Sequence, residues 1–203
     1  TNSTGGSEAH GVYGNGSFVC CASLRPIDYV ITTNGVIKAF ANGTGWVYAG
    51  GAVGNFTNIV NNGTISAIAN ATSGSAKAYG VLAGSIGNFV NSGSITITAN
   101  AVGNGTWVSA GAGGVGADSI GNFTNSGSIT ITVNAVGGDD TWAHIEGIGA
   151  LSIGNFTNSG SITAIANAVG NGTYGAWGGA EGIEAYSIGN FVNSGNITAI
   201  ANA

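Results

Sequence analysis

The sequence predicts an all-β chain wound as a parallel β-solenoid (β-helix) of about six windings, with a repeat of roughly 33–35 residues. Three observations predict it. One phrase recurs: "SIGNFVNSGSITITANAVGNGT" spans Ser85–Thr106, "SIGNFTNSGSITITVNAVGG" spans Ser119–Gly138, and "SIGNFTNSGSITAIANAVGNGT" spans Ser152–Thr173. Inside the phrase, apolar and polar residues alternate with a period of two, the signature of a strand with one buried face. Finally, the composition suits packed strands and tight turns: 39 glycines in 203 residues, a single proline and only 5% charged residues. Disordered chains combine low hydrophobicity with high net charge, which this chain lacks. Collagen needs a strict three-residue glycine period and abundant proline, which it also lacks.

Each repeat carries three landmarks. Gly-Asn-Phe recurs at Gly54, Gly87, Gly121, Gly154 and Gly189. A glycine followed two residues later by Ile stands at Gly35, Gly63, Gly93, Gly127, Gly160 and Gly195, which makes six copies with the first two degenerate. A small-residue segment, such as "AYGVLA" at Ala78–Ala83 or "AEGIEA" at Ala180–Ala185, is the third, and "AHGVYG" at Ala9–Gly14 is its earliest form. In "SITITVNAV", Ile129, Ile131, Val133 and Ala135 fall on one face, with Thr130, Thr132 and Asn134 on the other. The preceding Asn-Ser-Gly reads as a turn. Helical repeats of similar period need long Leu/Ala/Lys/Glu faces that are absent, and Gly, Asn, Thr and Ile are poor helix formers.

Identical strands at a fixed period stack so that like side chains form ladders. The expected columns are Phe56, Phe89, Phe123, Phe156 and Phe191, with Ile31 at the end, and Asn42, Asn70, Asn100, Asn134, Asn167 and Asn202, with amides hydrogen-bonding along the axis. Residues 1–28 read as a first strand plus an irregular cysteine-containing insertion, and residues 29–203 as the solenoid. Within the insertion, Cys20 and Cys21 are adjacent. Neighbouring cysteines fit normal disulfide geometry badly, so an unstrained disulfide would join two molecules. Idle thiols are the alternative.

Phrases such as "AEGIEAYSIGNFVNSGNIT", Ala180–Thr198, resemble the repeats of bacterial autotransporter passengers and related secreted parallel β-helices, over roughly residues 29–203. The sequence departs from that resemblance in being far shorter than most passengers and in containing no membrane barrel domain. In composition it resembles prokaryotic extracellular fibre or sheath subunits. The resemblance implies an extracellular or cell-surface setting.

The chain also suggests a polymer. Its last phrase, "NITAIANA", stops directly after a core strand, and placing Thr1 after Ala203 continues the repeat in phase. A head-to-tail contact that does not close on itself gives an open filament. The expected function is therefore a structural subunit of an extracellular filament or sheath, joined to itself through Gly11, Val12, Ile197 and Ala199. A surface adhesin using Trp46, Trp107, Trp142 and Trp177, or a fragment of a longer passenger, is the alternative reading.

Other chemistry is weakly represented. Asn-x-Ser/Thr sites occur at Asn2, Asn15, Asn42, Asn55, Asn62, Asn70, Asn104, Asn122, Asn155, Asn171 and Asn196. Asn104 and Asn171 in Asn-Gly-Thr turns are the leading glycan acceptors, since a glycan needs an exposed loop; Asn55, Asn122 and Asn155 read better as ladder residues. His10 and His144 stand without a ligand or catalytic cluster, and Glu146, Glu181 and Glu184 read as a solvated edge rather than a glycosidase pair. No enzymatic activity and no cofactor are expected, with Asp139 and Asp140 a weak candidate for a Ca²⁺ contact. A net charge of −5, with Arg25, Lys38 and Lys77 the only bases, disfavours nucleic acid. No apolar run approaches the roughly 20 residues of a bilayer span. A Thr-x-Thr face of the ice-binding kind has only Thr96/Thr98 and Thr130/Thr132, because Ile68, Ile165 and Ile200 take the matching outer position elsewhere.

Overall fold

The computed structural model describes residues 2–3, 7–13 and 29–203, and it is a parallel β-solenoid. Strands follow in order: β1 (Asn2–Ser3), β2 (Ser7–Tyr13), β3 (Tyr29–Thr33), β4 (Val36–Val53), β5 (Phe56–Asn61), β6 (Thr64–Asn91) and β7 (Ser94–Val102). They continue as β8 (Trp107–Asn125), β9 (Ser128–Val136), β10 (Asp140–Asn158), β11 (Ser161–Val169), β12 (Gly175–Asn193) and β13 (Asn196–Asn202). All belong to one 13-stranded sheet, and every pairing is parallel. Cys20, Cys21, Asn15 and most of the expected insertion lie outside the described residues.

Each turn has three segments. The first runs from the Asn-Ser-Gly turn to the ladder asparagine, as in β7, β9, β11 and β13. The second and third are the two parts of the long strands β8, β10 and β12. In β6 all three join in one 28-residue strand that forms a whole turn. The first segment has six full rungs from β4 to β13, and six rungs are separated by five intervals. The solenoid therefore makes about five turns, one fewer than the count of repeat phrases suggested.

The period-two pattern fixes the core. Ile37, Ile65, Ile95, Ile129, Ile162 and Ile197 form one column in register, and its four inner members are fully buried. In β9, Ile129, Ile131, Val133 and Ala135 are all buried, as the alternation predicted. Branched residues in these rows fill the interior beside small ones: Ala67 pairs with Ile97, and Ile131 with Ala164.

The aromatic column needs one correction. Phe89, Phe123, Phe156 and Phe191 stack at 5.0 Å between successive ring centroids, with interplanar angles of 6°, 1° and 6°. Phe56 is not among them. It pairs with Ile86, and the rung above Phe89 is held by Ile59, with Ile31 above that. The turn sets the phase: Ile59 and Phe89 each precede their turn glycine, Gly63 and Gly93, by four residues, whereas Phe56 precedes Gly63 by seven. An identical Gly-Asn-Phe therefore occupies a different register.

The turns are tight because windings touch backbone to backbone there. A Cβ on Gly127 would lie 2.0 Å from the Gly93 carbonyl oxygen, and Gly63, Gly93, Gly160 and Gly195 repeat this approach within about 0.1 Å of the same distance. In each Asn-Ser-Gly turn the Ser and Gly N–H groups both donate to the carbonyl of the asparagine that precedes the turn in the previous winding, and in the Gly63 turn Asn62 and Gly63 donate likewise to Thr33. Ser126 N and Gly127 N, for example, reach Asn91 O at 2.8 and 3.0 Å.

Candidate functional site

Three amide ladders run along the axis. The expected one is present: the Nδ2 of Asn70, Asn100, Asn134, Asn167 and Asn202 each donates to the Oδ1 of the preceding member, from Asn42 on, at 2.7–2.9 Å. Asn2 lies in backbone register with Asn42. A second, exposed ladder links Asn58, Asn88, Asn122, Asn155 and Asn190 in the same sense at 2.6–2.7 Å. Asn122 and Asn155 are thus ladder residues as expected, but Asn55 is not. Its Oδ1 instead accepts the N–H groups of Gly84 and Ser85.

Sequence reasoning missed the third ladder, which is buried. Asn61, Asn91, Asn125 and Asn158 are fully shielded, and each donates through Nδ2 to the Oδ1 of the next member, ending at Asn193, at 2.7–2.8 Å. Each of these asparagines stands two residues before a turn glycine, where it reads as turn chemistry alone. Period two carries the missing signal: Phe123 and Asn125 point to the same side of the strand, so Asn125 must follow Phe123 inward. Buried amides are tolerated because each is hydrogen-bonded. The exception is Asn61 Oδ1, which is buried and unpartnered; Thr33, not an asparagine, occupies the rung before it.

In the last described rung these columns are less covered. Phe191 is 51% exposed, whereas Phe156 beside it is fully buried. Ile197 and Ala199 continue the columns of the buried Ile162 and Ala164, yet Ile197 is only half-buried and Ala199 is exposed. Asn190 and Asn202 use Nδ2 toward the preceding winding, and their Oδ1 atoms accept from no later rung among the described residues. Of the remaining residues expected at a polymer interface, Gly11 lies exposed on β2, and Val12 pairs with Ala52.

The outer face of the second segment gathers aromatic and ionisable groups. Trp142 and Trp177 are in register, with ring centroids 4.6 Å apart. Trp46 occupies the same column through Ser75 and Ser109. Trp107 does not, since it pairs with Asp140, two positions earlier. Asp140 Oδ1 accepts the Trp142 indole N–H at 2.7 Å. Outward glycines make room for neighbouring rings: a Cβ on Gly113 would strike Tyr79 at 2.7 Å, and one on Gly179 would strike Trp177 at 2.7 Å.

His144 is not solitary, contrary to expectation. Its Nε2 lies 3.5 Å from Glu146 Oε1 and 3.8 Å from Glu181 Oε2. Residues i and i+2 of a strand share a face, and parallel register sets Glu181 beside Glu146. Both facts follow from the repeat, but only once the rungs are aligned. The hydrogen bond to Glu146 raises the imidazole pKa against the effect of burial, with Glu181 and Glu184 adding to the rise. The same contact lowers the Glu146 carboxyl, whereas Glu184 is raised by the charge of Glu146. His10 shifts the other way, lowered by burial despite Glu8.

A raised histidine stabilises the fold below its unfolded value of 6.5, and this stability is lost as pH climbs through the folded value. A lowered carboxyl stabilises above 4.5, and loses this as pH falls through its folded value. The pair therefore contributes most between pH 4.5 and 6.5, and only slightly, because both side chains are about two-fifths exposed. In an NMR titration His144 is expected above 6.5 and His10 below it. Glu146→Gln should bring His144 down and leave His10 unmoved; a His144 indifferent to that change contradicts the assignment.

Among the described residues, no group of three or more His, Cys, Asp or Glu is arranged to hold a metal ion, and no helix is long and apolar enough to cross a membrane. Asp139 sits at the corner of its winding, where its N–H donates to Gly105 O at 3.3 Å. No protein-family model matches this chain, and no curated protein or solved structure matches it either.

Proposed function

We propose that the chain is a structural subunit that stacks head to tail, the last winding of one molecule pairing in parallel with the first winding of the next. The observation that carries this reading is the register: Ile197, Ala199 and Asn202 lie in parallel register on Ile162, Ala164 and Asn167, so every rung presents the pattern with which a further like rung can pair. Exposed strand edges are templates for further strands, and an uncovered apolar cross-section favours a partner that covers it. A second copy fits both needs. Its β2 and β3 present the same segments in the same parallel sense as β4 and β5, on which they already lie. The ladders suit the same contact, since Asn190 and Asn202 offer free acceptor oxygens at one end. An extracellular filament or sheath is the setting that low charge, abundant sequons and the repeat style favour.

Ile197→Lys tests the reading. It places a charge in the contact while disturbing only the end of a core column. The unsubstituted chain should lengthen into rods as concentration rises, seen by electron microscopy and light scattering. The variant should keep its β-sheet circular dichroism and remain monomeric. Rods that form equally well with Lys at this position would contradict stacking through β13.

A further inference from the structure

We propose that Asn104 and Asn171 are the N-glycan acceptors of the folded chain, and that the other sequon asparagines whose side chains are described are withheld: Asn42, Asn70, Asn122 and Asn155 by the amide ladders, Asn55 and Asn62 by local hydrogen bonds, and Asn196 by its fixed strand backbone. The sequence itself supplies the control. Asn-Gly-Thr occurs four times, at Asn42, Asn62, Asn104 and Asn171, so tripeptide preference cannot separate them. Structure does. Asn42 is a ladder member whose amide accepts from Asn70 at 2.7 Å. Asn62 lies in a turn, where its Nδ2 donates to Asn34 Oδ1 at 3.0 Å.

Asn104 and Asn171 stand on neither ladder. They lie in the loops that join β7 to β8 and β11 to β12. Both are exposed, and neither side-chain amide is hydrogen-bonded among the described residues. The difference arises from chain length at one corner. In β4 the strand turns this corner almost at once, with a register shift between Gly43 and Gly45, so its Asn-Gly-Thr begins on the ladder position. In the later windings the ladder positions are Asn100 and Asn167, and the extra residues push the tripeptide outward. The intervening winding carries Gly137, Gly138 and Asp139 here, so the two acceptors are two rungs apart on one edge, about 10 Å.

The remaining sequons are held as well. Asn70, Asn122 and Asn155 donate along ladders, and Asn55 caps two backbone N–H groups. Asn196 is exposed, but its backbone is fixed in β13, where its N–H donates to Gly160 O at 2.9 Å. A sugar on a ladder Nδ2 would occupy space that the adjacent winding fills about 4.8 Å away.

In the transfer step, the amide nitrogen attacks the anomeric carbon of a lipid-pyrophosphate-linked oligosaccharide. The N–C bond forms as the anomeric C–O bond breaks, the lipid pyrophosphate leaves with the electron pair, and Nδ2 gives up one proton. No oxidation occurs. The acceptor amide must therefore be reachable, which distinguishes the two loops from the ladders.

The test treats the folded chain with a single-subunit oligosaccharyltransferase and a lipid-linked donor, then maps occupancy by peptide mass. Peptides spanning residues 38–48 and 100–110, given the same treatment, report the intrinsic reactivity of the Asn42 and Asn104 sequons. Occupancy at Asn104 and Asn171 is expected at least tenfold above Asn42 and Asn62 in the folded chain, with the two peptides alike. The Asn104→Gln, Asn171→Gln double variant should lose the mass gain. Equal occupancy of Asn42 or Asn62 in the folded chain overturns the proposal. So do bare Asn104 and Asn171 in a chain whose 100–110 peptide is modified.

Discussion

Gly127→Ala is expected to destabilise the fold by roughly 3 kcal/mol or more, at or beyond the top of the range for forcing extra volume into a packed interior. The new methyl carbon would lie 2.0 Å from the Gly93 carbonyl oxygen, and also 2.8 Å from the Ser92 carbonyl carbon. Neither atom is the end of a flexible side chain. Relief requires the two windings to part at the turn, where Ser126 N and Gly127 N bond to Asn91 O. Gly111→Ala is the matched control, because its nearest neighbour would be His144 O at 3.9 Å. That substitution should be neutral, or stabilising by about 0.4–1 kcal/mol through the unfolded chain. Urea denaturation of both variants checks the pair; similar midpoints would mean that the windings do not touch at this corner.

Asn125→Ala should cost roughly 2–6 kcal/mol. Asn125 accepts from Asn91 and donates to Asn158, each at 2.7 Å, within a fully buried row. Its removal strands one donor and one acceptor, and each buried unsatisfied group costs about 1–3 kcal/mol. Asn122→Ala removes the same kind of link, to Asn88 and Asn155, but on an exposed ladder. Water replaces the lost partners there, so about 0.5–1.5 kcal/mol is expected. A denaturation series comparing the two variants decides the matter. Equal losses would show that burial does not set the value of these ladders.

Much of the architecture was legible because strand chemistry is local. The alternation in "SITITVNAV" foretold which side chains of β9 are buried, and the six turn glycines foretold where windings meet. Register was less legible. It is counted from the turn, not from the most memorable word, and so Phe56 was assigned to a column that Ile59 holds. Trp107 stands off the Trp142 column for a similar reason, its corner loop differing in length from that before Trp142. The buried asparagines were hidden by a double role, each forming part of a turn motif and part of the core. Glu181 beside His144 and Glu146 was hidden because it is distant in sequence and meets them only through parallel pairing.

The proposed stacking requires main-chain pairing that continues from β13 and β12 of one molecule into the first winding of another. X-ray fibre diffraction from aligned, concentrated protein measures this directly. A reflection near 4.8 Å along the rod axis, from rods many times longer than one chain, is the predicted result. Monodisperse single chains at every concentration, or rods whose strands run along the axis, would contradict it.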